Sequence, residues 1–345
     1  MKTGLLWKEW RQHAWVLITL FILVVGFGQL NTYNTIADHQ KNLRYFESSA
    51  FKAEQKKSPV DERMSEADII NNLTVYDDAL GLSFLVAFIF CVFIGLKTTA
   101  FEKNKGADYI AQAMPYSRTT IIAHKLIWPT LTIFVSLFLY RGLSYWQLST
   151  QIDAVFITAF KEYCLQSLTM LLLMLLCYTI SLMIGTLVGD ALVASLVTIA
   201  ILYSASLLFY YNLVHIIQAF LSFTTNKTME QIQNTTFQST LFGFSHWDMI
   251  ILMLLIIMFA SLAIVFYSKA SLENNGLFLM LPKMRFPVIL IGALYTAICL
   301  ARIDYEERIT AANLLGYGLN AGLIILISGF IGWLCFYKLK KLRRL

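Results

Sequence analysis

Long apolar runs separated by shorter polar segments dominate this sequence. A run of about 20 apolar residues can cross the hydrocarbon core of a bilayer as a helix, and a helix satisfies its own backbone hydrogen bonds there. Seven clear runs and one marginal run predict about eight transmembrane helices. The clear runs are 14–30, 79–101, 126–146, 163–188, 191–212, 249–268 and 313–337, and the marginal run is 287–301. We therefore expect an all-α polytopic membrane protein.

The distribution of charged residues predicts the orientation of the chain in the membrane. Charged residues make up 14% of the 345 positions, against about 25% in soluble domains. With a cytoplasmic N-terminus and eight spans, the inner side holds 16 basic and 5 acidic residues, and the outer side holds 10 basic and 16 acidic residues. Because Lys and Arg favour the cytoplasmic side, both termini are expected in the cytoplasm. The net charge of +6 then reflects topology, and nucleic acid is not an expected partner.

The segments outside the spans differ in character. Residues 1–13 predict an interfacial helix, since Trp7 and Trp10 suit the headgroup zone and Arg11 suits the anionic inner leaflet. An ordinary basic flank of the first span is the alternative. The outer loop 31–78 is either an ordered cap or a solvated segment. The second outer loop, 213–246, begins with an apolar stretch too short to span, which suits a re-entrant or interfacial helix.

One polar loop, EKNKGADYIAQAMPYSRTTIIAHK at 102–125, has unusual local design. A short helix is expected from Asp108 to Met114, after Gly106. Pro115 ends it, since proline disrupts a helix interior, and Ser117 suits the N-cap of the next helix. A short helix across the ends of two spans would tilt both when pushed. The loop therefore predicts a docking surface for a cytoplasmic protein, and a plain capped basic loop is the alternative.

Motifs for catalysis or for metal and cofactor binding are missing from the sequence. It contains no GxxxxGK[ST] phosphate loop and no HExxH, and the five cysteines are interpreted as packing residues. Arg141 lies inside a span, where it is either a snorkelling anchor or part of a pathway or interface. We expect no catalytic, cofactor or metal site in this chain, so energy for transport would come from another subunit.

Several of these features together resemble the permease subunit of type-two ABC exporters. They are the WKEW stretch before the first span, the large outer loop, and the 102–125 segment. The similarity covers about residues 1–276 and is greatest to the Gram-positive Ytr-type permeases. Met114 replaces the leucine usual in the family. The matching positions of the segment are Glu102, Gly106, Pro115, Ser117, Arg118 and Lys125.

The resemblance implies an organisation for the whole chain. Residues 1–13 would be an elbow helix, 14–276 a six-helix permease core, and 277–345 a C-terminal transmembrane extension with a basic cytoplasmic tail. Gly106 to Met114 would be the coupling helix that docks on an ATPase. The implied coupling residues are Glu102, Gly106, Asp108, Tyr109, Ile110, Met114, Pro115, Ser117 and Arg118.

The resemblance also implies partners and cargo. Cytosolic ABC ATPase subunits would bind ATP and Mg, and a second permease subunit, identical or homologous, would complete the pathway in the plasma membrane of a bacterium. The exported compound would be hydrophobic or envelope-active, such as an antimicrobial peptide, a drug or a lipid-like molecule. Two other classes stay open: a membrane scaffold or sensor that relays an outer-loop signal, and an ion-coupled secondary transporter.

Overall fold

The computed structural model describes residues 2–57, 64–75, 82–236, 246–271, 278–303 and 309–338. Within these ranges the chain is built of helices, and extended structure is limited to one isolated parallel bridge between Val75 and Ile157. The helices are α1 Lys2–Glu47, α2 Ser49–Lys57, α3 Glu66–Leu73, α4 Leu82–Leu96, α5 Ala107–Gln112, α6 Arg118–Gln151, α7 Phe160–Leu187, α8 Ala191–Ser204, α9 Tyr210–Thr225, α10 Met229–Thr236, α11 His246–Lys269, α12 Arg285–Leu300 and α13 Ala311–Trp333. The all-α expectation is confirmed.

Seven helical stretches in the described ranges are long and apolar enough to cross a membrane. They are Trp7–Glu47, Phe84–Asn104, Arg118–Gln151, Phe160–Leu187, Met249–Lys269, Pro282–Leu300 and Ala311–Tyr337. The chain is therefore a helical membrane protein. The seven stretches differ from the predicted runs at two places. The marginal run 287–301 lies in a stretch of 19 residues, which is long enough to cross a membrane, whereas the clear run 191–212 begins with α8, which is shorter than the seven.

A π-helical turn explains the short α8. Residues Ala205–Phe209 adopt π geometry and lead directly into α9. Apolar composition alone cannot reveal such a turn, because it depends on which backbone carbonyl each amide finds. The apolar start of 213–246 is helical, as α9; whether it lies in the membrane interface remains a prediction.

Helix α1 differs from the predicted N-terminal organisation. It runs for 46 residues without a break, so residues 1–13 are not a separate helix and the loop expected from residue 31 starts as a continuation of α1. The interfacial position of residues 1–13 and the start of the outer loop remain predictions. No proline occurs between residues 2 and 47 to end the helix. The polar residues after 30 form a mostly exposed continuation of this helix.

The chain divides into two compact units. The first comprises 1–95, 120–179 and 246–259, and the second comprises 96–119, 180–245 and 260–345. In the first unit, α1 and α6 approach closely at Gly28, where a Cβ atom would collide with the ring of Tyr140. The buried hydroxyls of Thr32 and Ser144 lie 2.7 Å apart. A small residue and paired hydroxyls let two apolar helices pack tightly.

The described part of 31–78 is ordered within the first unit. The imidazole Nδ1 of His39 lies 3.0 Å from the carbonyl oxygen of Leu73, which ties α1 to α3. The amide of Val75 donates to the carbonyl of Phe156 at 2.8 Å. Buried apolar residues support both contacts: Ile36, Val75, Leu148, Ile152 and Tyr163. Of the two alternatives, an ordered cap fits residues 31–57 and 64–75.

The second unit holds the C-terminal helix pair. Tyr295 of α12 stacks on Phe209 with ring centroids 5.1 Å apart, and its hydroxyl lies 2.6 Å from that of Ser204. Helices α12 and α13 pack closely, since a Cβ atom at Gly332 would come within 3.2 Å of the side chain of Ile289. Both helices lie in stretches that are long and apolar enough to cross a membrane, and a core of six spans with a C-terminal pair remains a prediction.

Candidate functional site

Backbone geometry and several contacts hold the segment between α4 and α6 in a fixed position in the second unit. After α4 the chain makes a π-helical turn, Lys97–Phe101, and one further turn, Glu102–Asn104. Gly106 then adopts a left-handed conformation, with φ of 71°, which a residue with a Cβ atom enters only at a cost. The short helix α5, Ala107–Gln112, follows at once. The predicted helix is present but ends two residues before Met114.

The π-helical turn packs against α7. A Cβ atom at Gly185 would collide with the hydroxyl of Thr99 and lie 3.3 Å from the amide nitrogen of Ala100. Backbones this close leave no room for a larger residue. The entry to the segment is therefore held against the end of α7.

Lys103 strengthens the same contact. Its side chain is 2% exposed, and its ammonium group donates to the carbonyl oxygens of Gly185 and Thr186, each at 2.8 Å. The last carbonyls of a helix have no partner within the helix and carry its partial negative charge, which favours a cation. Lys103 is thus a C-terminal cap of α7 supplied from another part of the chain.

A second anchor joins α5 to α11. The phenolic hydroxyl of Tyr267 donates to Oδ1 of Asp108 at 2.6 Å, and both side chains are almost completely buried. Hydrogen bonds to a carboxylate are shorter and stronger than neutral ones. This bond fixes the inward face of the short helix.

A third anchor closes the segment at the start of α6. The Arg118 guanidinium donates from Nη1 to the carbonyl oxygens of Ala270 and, at 3.5 Å, Ser268, at the end of α11. Ser117 precedes α6, where the sequence predicted a cap, and its hydroxyl lies 2.9 Å from that of Thr119. Together the three anchors connect the segment to α7 and α11, in addition to α4 and α6, which it joins directly.

The opposite face of α5 is apolar and exposed. Tyr109 is 48% exposed and Ile110 is 63% exposed, and Pro115 is exposed beyond the helix, while Met114 is half-buried. Glu102 is buried, so the structure separates the predicted coupling residues into two groups. Asp108 and Arg118 bond to α11 within the unit, Glu102 is buried, and Tyr109 and Ile110 are exposed.

The residues predicted for an elbow lie in α1, in the first unit. Trp7 and Arg11 are exposed, and Trp10 is packed against Trp128 of α6 with ring centroids 4.9 Å apart. Sequence reasoning missed the buried pair Glu9 and His13, whose closest side-chain atoms are 3.7 Å apart. The i, i+4 spacing of Glu9 and His13 could have indicated this pair, because side chains four residues apart are neighbours on a helix.

Arg141 lies in α6 of the first unit, well inside the protein. It is 3% exposed, its Nε donates to the hydroxyl of Ser167 at 2.8 Å, and its guanidinium carbon lies 3.9 Å from the centre of the Tyr163 ring. This contact geometry is that of a cation–π interaction. The snorkelling anchor and the pathway or interface role both remain predictions for Arg141.

Lys103 and Tyr267 are the functional residues that sequence reasoning missed in the second unit. In the sequence Lys103 is one charge of a polar loop, and Tyr267 lies 159 positions from Asp108, so no local pattern could reveal the partner of either residue. Comparisons of this chain with protein-family models, with curated proteins and with solved structures found no match.

Proposed function

We propose that this chain is the permease subunit of an ATP-driven ABC transporter and that α5 is the surface on which a cytosolic ATPase subunit docks. The observation that carries the proposal is the outward pair Tyr109 and Ile110 on a helix whose inward face is anchored. The resemblance of segment 102–125 to the coupling region of type-two exporters supports the same assignment.

The exposed pair has the chemistry of a docking contact. Burying a large apolar side chain contributes about 1.5–3 kcal/mol, and tyrosine is enriched among the residues that dominate binding at interfaces. A groove on a partner could therefore hold α5 through two side chains.

The anchors would transmit a movement of α5 to other helices. A displacement of α5 would act on α7 through Lys103, and on α11 through Asp108 and Arg118. A helix without such anchors would move alone. A partner that closes on ATP and moves α5 would thereby move the ends of several transmembrane helices together.

The remaining parts of the proposal rest on the resemblance. The partner ATPases would bind ATP and Mg, and a second permease subunit, identical or homologous, would share the pathway. The cargo would be a hydrophobic or envelope-active compound such as an antimicrobial peptide, a drug or a lipid-like molecule. The complex would lie in the plasma membrane of a bacterium, with both termini of this chain in the cytoplasm.

The test is purification of the tagged chain from its native membrane in mild detergent, with identification of the proteins that accompany it. The wild-type chain should bring a stoichiometric soluble ATPase, and Ile110→Asp should lose it, because a buried unpaired carboxylate is costly at an apolar interface. The matched control is Val155→Asp, which places the same charge on an exposed apolar residue of the α6–α7 connection.

Each outcome discriminates between the functions. Retention of the ATPase by Ile110→Asp would show that α5 is not the docking surface. Purification of the chain alone would favour an ion-coupled transporter, and purification with an unrelated membrane protein would favour the scaffold or sensor. Either result would end the ABC assignment.

A further inference from the structure

The first unit contains a cavity of about 430 Å³ between α6 and α7. This volume lies within the range of about 300–1,000 Å³ that is usual for small-molecule sites. Its walls are mainly aromatic and aliphatic side chains, including Phe134, Phe138, Tyr145, Leu168 and Leu171. A ligand that fits it must present mostly hydrocarbon.

One wall of this cavity is charged. Arg141 lines it and supplies a guanidinium group with N–H donors. The Tyr163 ring and the Ser167 hydroxyl, which also line the cavity, hold the guanidinium in place. A planar guanidinium with several N–H donors is suited to carboxylate and phosphate oxygens.

The surroundings of the cavity indicate the side from which a ligand arrives. Phe134, Phe138 and Phe160 line it and are each more than half exposed, on helices that are long and apolar enough to span a membrane. Such surfaces contact acyl chains. Tyr145, four residues after Arg141, and the exposed Trp146 are of the residue types enriched at membrane interfaces. This combination of residues suits a site where a lipid headgroup meets its acyl chain.

We propose that this cavity is a binding site for an anionic membrane lipid, with an acyl chain among the aromatic side chains and the acidic headgroup at Arg141. The site selects by charge: a lipid with a net negative headgroup binds more tightly than a zwitterionic lipid with the same chains. This proposal goes beyond the docking function of α5 and involves the first unit alone, so it stands or fails independently of the ATPase.

The experiment measures which lipids remain bound to the purified full-length chain. The protein is equilibrated in detergent with an equimolar mixture of phosphatidylglycerol and phosphatidylcholine of identical acyl chains, and bound lipid is quantified by native mass spectrometry. We expect phosphatidylglycerol to be enriched about tenfold over phosphatidylcholine, which corresponds to about 1.4 kcal/mol. Equal binding of the two lipids would overturn the proposal.

Two variants separate the charge from the cavity. Arg141→Gln should abolish the enrichment, whereas Arg302→Gln, which removes a charge from an exposed arginine, should preserve it. Gly142→Leu should reduce binding of both lipids, because Gly142 lines the cavity and a Cβ atom there meets no other atom within 4 Å. Gly26→Leu is its control, since Gly26 has the same open surroundings in α1.

Three results would contradict the assignment. The first is unchanged enrichment in Arg141→Gln, and the second is an equal loss in Arg302→Gln, which would indicate diffuse electrostatic attraction. The third is full lipid binding by Gly142→Leu. Circular dichroism and gel filtration monitor folding of each variant, and Gly142→Leu tests the site separately if Arg141→Gln fails to fold.

Discussion

The hydroxyl of Tyr267 donates a 2.6 Å hydrogen bond to the carboxylate of Asp108, a residue 159 positions earlier in the chain. The bond joins a long transmembrane helix to a helix of six residues. A helix this short is not stable on its own, so its position depends on tertiary contacts of this kind.

Replacing this tyrosine should loosen α5. Tyr267→Phe keeps the ring and removes the donor, so a buried carboxylate loses a strong hydrogen bond and the folded state should lose about 1–3 kcal/mol. Hydrogen exchange should show faster exchange of the amides of Ala107–Gln112, and thermal unfolding should shift to lower temperature. Tyr33→Phe, at an exposed tyrosine, should change neither. Undiminished protection in Tyr267→Phe would mean that the bond does not hold α5.

Lys103 and its neighbour Lys105 offer a matched comparison. Lys103→Met retains most of the side-chain length but leaves two terminal carbonyls of α7 without their donor, so we expect a loss of about 1–3 kcal/mol. Lys105→Met removes the same charge from an exposed position and should change stability by less than about 0.5 kcal/mol. Chemical or thermal unfolding in detergent measures both. Equal effects would indicate that only net charge matters.

Replacement by alanine should destabilise the protein at one glycine of the second unit but not at another. Gly185→Ala should destabilise the protein by about 1–3 kcal/mol, because the added methyl group collides with Thr99 and the backbone of Ala100. Gly292→Ala has open surroundings in α12 and should be neutral or stabilise by up to about 1 kcal/mol. Unfolding midpoints of the two variants test the pair. A tolerated Gly185→Ala would disprove the close approach.

The capping box of α3 should make that helix sensitive to acid. The Ser65 hydroxyl and the Ser65 amide both bond to the Asp68 carboxylate and hold its pKa below the ordinary aspartate value. Because the folded pKa is the lower one, the stabilising effect is complete above the unfolded pKa and is lost as the pH falls through the folded pKa. The protection factors of the Glu66–Leu73 amides, which correct exchange for its intrinsic pH dependence, should therefore fall in acid.

Asp68→Asn is the control for this pH effect. Asparagine can still accept a hydrogen bond but does not titrate, so the variant should show exchange in α3 that no longer depends on pH beyond the intrinsic chemistry. An acid response that persists in Asp68→Asn would place its origin elsewhere.

Much of the fold could be predicted because each apolar run carries its own signal. The helices after residue 82 follow the predicted runs closely, and the break at Gly106 follows from glycine and proline chemistry. Composition cannot give a helix boundary where the helix continues without an apolar signal, as α1 does after residue 30. Polar composition does not mark the end of a helix, because helix formation does not require an apolar face on every turn.

The candidate site was predictable only in its local part. Segment 102–125 could be singled out, and Tyr109 and Ile110 were among the predicted coupling residues. Which residues turn inward could not be predicted, because Lys103, Asp108 and Arg118 find their partners 82 to 159 positions away. Charged side chains in a polar loop are ordinarily solvated, and only the packed structure shows that these three are anchors.

The unbroken α1 has a consequence for how this sequence can change in evolution. At 1.5 Å per residue its 46 residues extend for about 70 Å, and its contacts through Gly28, Thr32 and His39 all depend on one rotational phase. One inserted residue would rotate every later side chain by about 100°. Substitutions can accumulate along this helix, whereas insertions and deletions are tolerable only at its ends.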